Sequence, residues 1–182
     1  MILTGLKIKE EIERGRIGID PFDASKLNPN SYNVTLANEL FVYADPLDAK
    51  KPSRLLRLPF KEDGFRLFPG RLYLGRTAER TWTDAYAPMI EGRSSVGRLG
   101  IFIHATAGFG DVGFNGFWTL EISCVEPVVI YPGIEIGQIF FHEVSGKKTY
   151  YGDAPDAKYQ NNDGVQGSRL WRDFKSGVKE AL

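Results

Sequence analysis

The spacing of apolar residues changes after Gly15. In MILTGLKIKEEIERG, Leu6, Ile8 and Ile12 form a stripe among charges. Thr4 stands where a helix N-cap belongs and Gly15 where a helix closes, so one helix is expected from Thr4 to about Gly15. Beyond it lie short runs rich in β-branched and aromatic residues, broken by Gly and Pro. Strands are expected at Ser31–Leu36, Leu40–Ala44, Phe65–Phe68, Leu72–Arg76, Tyr86–Glu91, Ile101–Thr106, Phe117–Cys124, Val128–Tyr131 and Glu135–Val144. Turns fall at Pro69-Gly70 and Pro132-Gly133, where Pro presets one dihedral and Gly accepts the next. Many short strands at roughly ten-residue spacing read as a mainly β sandwich, jelly roll or barrel.

No long linker or internal repeat interrupts the 182 residues, so they are read as one domain, 1–182, long enough to bury a full core. The stretch from Tyr150 to Arg169 (YYGDAPDAKYQNNDGVQGSR) differs from the rest: it is polar and rich in Gly, Asn and Asp. It reads either as a surface tail or as a mobile lid occupying about 150–182 that a ligand would order.

Charge narrows the partners. The 23 basic and 23 acidic residues cancel, which argues against non-specific binding to nucleic acid or to an anionic membrane. A small anionic ligand stays open, since a few arginines in one pocket suffice. The single cysteine, Cys124, cannot form an internal disulfide and suits a reducing compartment. No apolar run approaches the roughly 20 residues of a membrane span, and the N-terminus lacks the apolar stretch of a signal peptide; a cytoplasmic location is expected.

Chemistry concentrates in three segments. Glu91-Gly92-Arg93-Ser94-Ser95-Val96-Gly97-Arg98 is polar and sits between two extended runs. If Ser94–Leu99 forms a helical turn, its first amides point outward unpaired, and Arg93 adds a fork suited to phosphate. Ser94 and Arg98, at i and i+4, would share one face. A capped surface turn with solvated arginines is the competing reading. His104-Ala105-Thr106-Ala107-Gly108-Phe109-Gly110-Asp111-Val112-Gly113-Phe114-Asn115-Gly116 holds four glycines, signalling tight turns or close approach to a ligand. Phe117–Cys124 alternates, placing Leu120, Ile122 and Cys124 on one face and Thr119, Glu121 and Ser123 on the other. Glu121 is a candidate general base if its face lines a pocket, and otherwise a solvent-facing residue. Two histidines (His104, His142), one cysteine and no C-x-x-C do not supply the pattern of a zinc deaminase.

EGRSSVGRLGIFIHATAGFGDVGFNGFWTLEI followed by YPGIEIGQIFF resembles the core of the dCTP deaminases, members of the dUTPase superfamily. MILTGLKIKEEIERGRIGIDPFD resembles their opening helix and strand, NPNSYNVTL a sheet motif, and DAKYQNNDGVQGSR a C-terminal lid. The resemblance implies a distorted jelly-roll homotrimer with active sites shared between subunits. It also implies dCTP as substrate, Mg²⁺ carried on its phosphates without zinc, deamination to dUTP, and dTTP as an inhibitor. Carried over by position, Glu121, Ser94 and Arg98 are catalytic, with Glu121 taking a proton from water that Ser94 and a carbonyl near Ala107 aim. Arg93, Ser95, Gln138, Tyr151, Lys158 and Asn162 contact substrate, Asn162 standing where the family has glutamine. His104, Thr106 and Ala107 surround the pyrimidine, Asp111 lies near the sugar, and Phe114 packs on it. Asn33 departs from the Asp of many relatives. Asp111 and the GF after Ala107 keep open a bifunctional enzyme that carries dCTP to dUMP and diphosphate. A plain dUTPase and a non-catalytic nucleotide-binding trimer are further alternatives.

Overall fold

The computed structural model describes residues 1–174; the last part of the expected lid, 175–182, lies outside the described residues. Helix α1 spans Gly5–Glu13. The strands are β1 (Ile17–Asp20), β2 (Tyr32–Thr35), β3 (Phe41–Tyr43), β4 (Leu55–Arg57), β5 (Phe65–Leu67), β6 (Tyr73–Thr83), β7 (Tyr86–Gly92), β8 (Ile101–Phe102), β9 (Asn115–Cys124), β10 (Val128–Ile130) and β11 (Glu135–Glu143), with a single helical turn, α2 (Ser94–Gly97), between β7 and β8. One sheet runs β4-β3-β6-β9-β8 with β1 paired to the end of β6; a second runs β2-β11-β7; β5 and β10 form a separate pair. The pairings within strands are antiparallel. Leu36, Leu120, Ile122, Ile139 and Phe141 fill the space between the sheets and are fully buried. The result is the distorted jelly roll with a short N-terminal helix that the sequence suggested.

Strand β9 shows why the site residues face as they do. Its residues alternate between buried and partly buried: Trp118, Leu120, Ile122 and Cys124 point into the core, which turns Thr119 and Glu121 to the opposite face. Its partner β6 carries a bulge. Arg76 lies opposite Thr119 and Arg80 opposite Phe117, so four steps on β6 face two on β9. Within the bulge the Thr77 hydroxyl replaces a backbone partner, accepting from Trp118 N at 3.1 Å and donating to Glu79 O at 2.8 Å. The Glu79 carboxylate, on the inward face of β6, is fully buried and accepts from Thr35 N (2.9 Å), Thr35 Oγ1 (2.8 Å) and Lys26 Nζ (2.8 Å).

Three sequence expectations change. Leu6 is 82% exposed, and α1 docks through Gly5, Ile8 and Glu11 instead. Gly5 approaches the chain so closely that a Cβ there would sit 2.0 Å from Asn28 O, and this contact rotates Leu6 outward. The strand expected over Leu72–Arg76 continues to Thr83. The strand expected over Ile101–Thr106 stops at Phe102: Ile103 O still accepts from Glu121 N at 2.8 Å, but the next donor, Ala105 N, goes to the side chain of Glu121. β1 and β4 add strands not read from composition.

The helix is also pinned by a buried charge. Glu11 accepts from Tyr86 Oη (2.7 Å), lies 3.0 Å from Lys7 Nζ and contacts Arg16 directly. Burial pushes its carboxyl upward, but hydrogen bonds from Arg16, Tyr86 and Lys7 outweigh that and hold it at about 2. Glu11→Ala leaves the buried Tyr86 hydroxyl without its acceptor and should cost roughly 1–3 kcal/mol in urea melts. Because the folded value lies below the ordinary 4.5, the contribution of Glu11 is complete above that pH. It fades as pH falls from about 4.5 towards about 2, so the stability gap between wild type and Glu11→Ala should narrow across that interval.

Candidate active site

Glu121 stands on the face of β9 turned away from the core and lines a cavity of about 500 Å³. Its Oε2 accepts from Ala105 N at 3.0 Å. The loop supplying that donor comes off β8 and turns back along β7, where Gly108 O accepts from Ile90 N (2.8 Å) and Gly110 N donates to Pro88 O (2.8 Å). The glycines are needed for this approach: a Cβ on Gly108 would lie 2.6 Å from Ile90 O, and one on Gly110 would lie 2.5 Å from the Trp118 ring. His104, Ala107, Asp111, Phe114, Tyr151 and Asn162 line the same cavity. Phe114 packs between the rings of Trp118 (5.4 Å) and Tyr151 (6.0 Å). Asp111 is exposed in the turn that Gly113 closes at φ +86°.

A second depression of about 310 Å³ holds Arg93 and Ser94 together with Glu91 and His104. Ile103 and His104 are the residues shared between the two. Within one chain, therefore, Glu121 and Ser94 line different depressions. The turn α2 begins its own hydrogen bonding only at Gly97 N to Arg93 O (2.9 Å), so the amides of Ser94 and Ser95 precede the first intrahelical bond. Ser94, Ser95 and Arg98 are exposed there. Arg93 Nη1 pairs with Glu135 Oε2 at 2.6 Å, which engages one nitrogen of the fork and leaves the other for a further anion. Glu135 in turn accepts from Asn33 Nδ2 at 3.0 Å. Gln138 lies within the sheet, accepting from Ser31 Oγ (2.9 Å) and donating to Gly92 O (3.4 Å). Thr106 is exposed at the loop tip, and Lys158 pairs with Asp173 at 2.6 Å.

The C-terminal segment is packed across the cavity as its outer wall, contributing Tyr151, Tyr159, Gln166, Gly167 and Ser168. Asn162 fastens it. Its Oδ1 accepts from Phe117 N (2.9 Å), and its Nδ2 donates to Phe117 O (3.0 Å) and Tyr159 O (3.2 Å). Gln160 bonds Asn115 N and Gly113 O, and Gln166 N donates to Thr119 Oγ1 at 3.0 Å. Sequence reading did not mark Tyr43, Tyr159 or Gln166 as wall residues. Each comes from a segment far from β9 in sequence, and only the docked tail brings them together. Among the described residues no three His, Cys, Asp or Glu side chains cluster as metal ligands, and no helix is long and apolar enough to cross a membrane.

Comparison with known proteins bears on the family and the fold. The family model described as dCTP deaminase-like matches residues 2–144. A protein named "dCTP deaminase, dUMP-forming" from Clostridium acetobutylicum is 56% identical over 175 residues, covering 96% of this chain and 99% of its own. One of the same name from Cytophaga hutchinsonii is 56% identical over 176 residues, and another from Leptospira biflexa is 52% identical over 176. Among solved structures, the 2'-deoxycytidine 5'-triphosphate deaminase of Agrobacterium tumefaciens shares the fold, with a TM-score of 0.61 at 21% identity over 79% of this chain; the match spans about half of that chain (48%).

Asn162→Ala should loosen the tail without unfolding the barrel. Both polar groups of Phe117 lose their partner, at a local cost of roughly 1–3 kcal/mol. Amide hydrogen exchange should then rise in residues 150–170 and stay unchanged in β6 and β11.

Proposed function

The chain belongs to the dCTP deaminase family, an enzyme family acting on dCTP, and on that premise we propose that it carries dCTP through deamination to dUMP and diphosphate. The observation that carries the deamination reading is Glu121, a carboxylate on the cavity wall oriented by a backbone N–H and flanked by the pyrimidine-side residues His104 and Ala107. The product favoured from the sequence was dUTP. The dUMP-forming alternative is preferred because relatives at 52–56% identity carry that name and because Asp111 lines the same cavity as Glu121.

In this reading water adds to C4 of cytosine as Glu121 takes its proton. Glu121 passes this proton to N3, where it stays. It then takes the remaining hydroxyl proton as the C4 carbonyl forms and gives it to the departing amine, so ammonia leaves, the base becomes uracil and the carboxylate is restored. Ser94 and the carbonyl near Ala107 aim the water, and Arg98 steadies the charge during addition. Asp111 would then direct a second water to the α-phosphorus, breaking the bond to the β-phosphate and releasing diphosphate. Arg93, Ser95, Tyr151 and Lys158 would hold the phosphates, with Mg²⁺ riding on them. Lys158 would exchange Asp173 for phosphate. Asn162 would act by holding the tail rather than by touching substrate, since its amide is already engaged on three sides. dTTP, which shares the sugar and phosphates of dCTP, would compete for the same cavity.

Separation of Glu121 from Ser94 within one chain supports a site completed by a neighbouring copy. Leu99, Phe102 and Val125, beside α2, are each more than half exposed, an apolar surface that a homotrimer would cover.

Two experiments test these readings. With wild type, dCTP and Mg²⁺, chromatography should show dUMP appearing without a build-up of dUTP. Glu121→Gln should abolish both products, with kcat falling roughly 10²–10⁴-fold, whereas Asp111→Asn should halt at dUTP. Accumulating dUTP in wild type would restrict the enzyme to deamination. Secondly, Glu121→Gln and Ser94→Ala subunits, each inactive alone, should regain activity when refolded together. No recovery would place both residues in a site made by one chain.

A further inference from the structure

Glu91 takes no part in the chemistry proposed above, yet it touches a residue that does. It lies on β7, and its Oε2 stands 3.2 Å from His104 Nε2. A carboxylate only accepts, so Nε2 carries the proton in this contact. The other ring nitrogen, Nδ1, is buried and has no hydrogen-bond partner among the described residues. On a further side the ring rests on Gly108, where a Cβ would stand 3.0 Å from Nε2 and 3.2 Å from Cε1. The imidazole therefore has one polar tether, Glu91, and one steric seat, Gly108. The next residue in the chain is Ala105, whose N–H binds the Glu121 carboxylate at 3.0 Å.

We propose that Glu91 is a positioning residue: by holding His104 it fixes the backbone at 104–105 and so aims the N–H that orients Glu121. The functional consequence rests on the deaminase reading; the structural one does not. A purely stabilising role is a poor account of the contact, because the Glu91 side chain is 49% exposed and half-exposed ion pairs add little to stability. A role in substrate affinity alone, through His104 beside the pyrimidine, would leave the orientation of Glu121 untouched, whereas the tethered residue adjoins Ala105, whose N–H binds that carboxylate.

The test compares Glu91→Ala, Glu91→Gln, His104→Ala and the double variant Glu91→Ala/His104→Ala. Glu91→Gln keeps an acceptor for Nε2–H. In the ligand-free proteins, the Ala105 amide proton resonance should move in Glu91→Ala and stay near its wild-type position in Glu91→Gln. With dCTP, Glu91→Ala should lower kcat roughly ten- to a hundredfold with KM within about twofold. Glu91→Gln should recover most of that loss, and the double variant should be no slower than His104→Ala alone. Melting temperatures should match wild type throughout. An unmoved Ala105 resonance in Glu91→Ala would overturn the proposal whether or not the wild type turns over dCTP. Additive losses in the double variant, an effect on KM alone, or equal losses in Glu91→Ala and Glu91→Gln would overturn it as well. A wild type that forms no product from dCTP would count against the deaminase reading and leave the resonance comparison to decide this one.

Discussion

The bulge in β6 is the constraint on which the arrangement rests. Across it four steps of β6 face two of β9, an even difference that keeps the two strands in phase, so Thr77, Glu79 and Thr81 stay buried on the same side as Trp118 and Leu120. The Thr77 hydroxyl satisfies Trp118 N, and the Trp118 indole donates to Thr81 Oγ1 at 2.9 Å. Glu79, on the same inward face, accepts from Thr35, so the bulged stretch holds β9 and also ties β6 to β2 in the other sheet. A buried carboxylate is tolerable there because three donors surround it. Moving β9 by one residue would send Glu121 into the core and a leucine or isoleucine into the cavity.

Much of this was legible in the sequence, and the gaps have physical reasons. Alternation in Phe117–Cys124 placed Glu121 correctly opposite Leu120 and Ile122, because burial on one face leaves a clean period of two. The second half of β6 was illegible because its inward residues Thr77, Glu79, Thr81 and Thr83 are polar, yet all are buried. Each is satisfied by a partner from elsewhere in the chain, which a periodicity of apolar residues cannot reveal. Leu6 misled for the converse reason: its helix is rotated by the close approach of Gly5 to Asn28, a contact distant in sequence. The early end of β8 reflects a side chain taking over a backbone role, since Glu121 captures Ala105 N–H. Local pattern gave the identity of the candidate site residues. Their division between two depressions needed coordinates, because nothing in the spacing of Ser94 and Glu121 says whether they meet in one chain.

The tail illustrates the difference between composition and docking. Its polar residues gave little to bury, yet Gln160, Asn162 and Gln166 attach it along β9 by bonds to backbone groups and to Thr119. Gly116 makes room for this, since a Cβ there would stand 3.0 Å from the Asn162 amide. A segment held by hydrogen bonds to uncharged groups can release one bond at a time.

The donor that orients Glu121 belongs to the main chain at Ala105. Replacement of the Ala105 side chain by any residue other than proline leaves an N–H in place, since proline alone lacks one. The contact that orients the Glu121 carboxylate is therefore shielded from ordinary point mutation. Drift at this codon can alter bulk and loop shape while the hydrogen bond persists, so sequence variation at residue 105 is a poor guide to its importance. The region can diversify around a fixed chemical element, and its history would be recorded in the neighbours that hold the loop rather than in the residue that makes the bond.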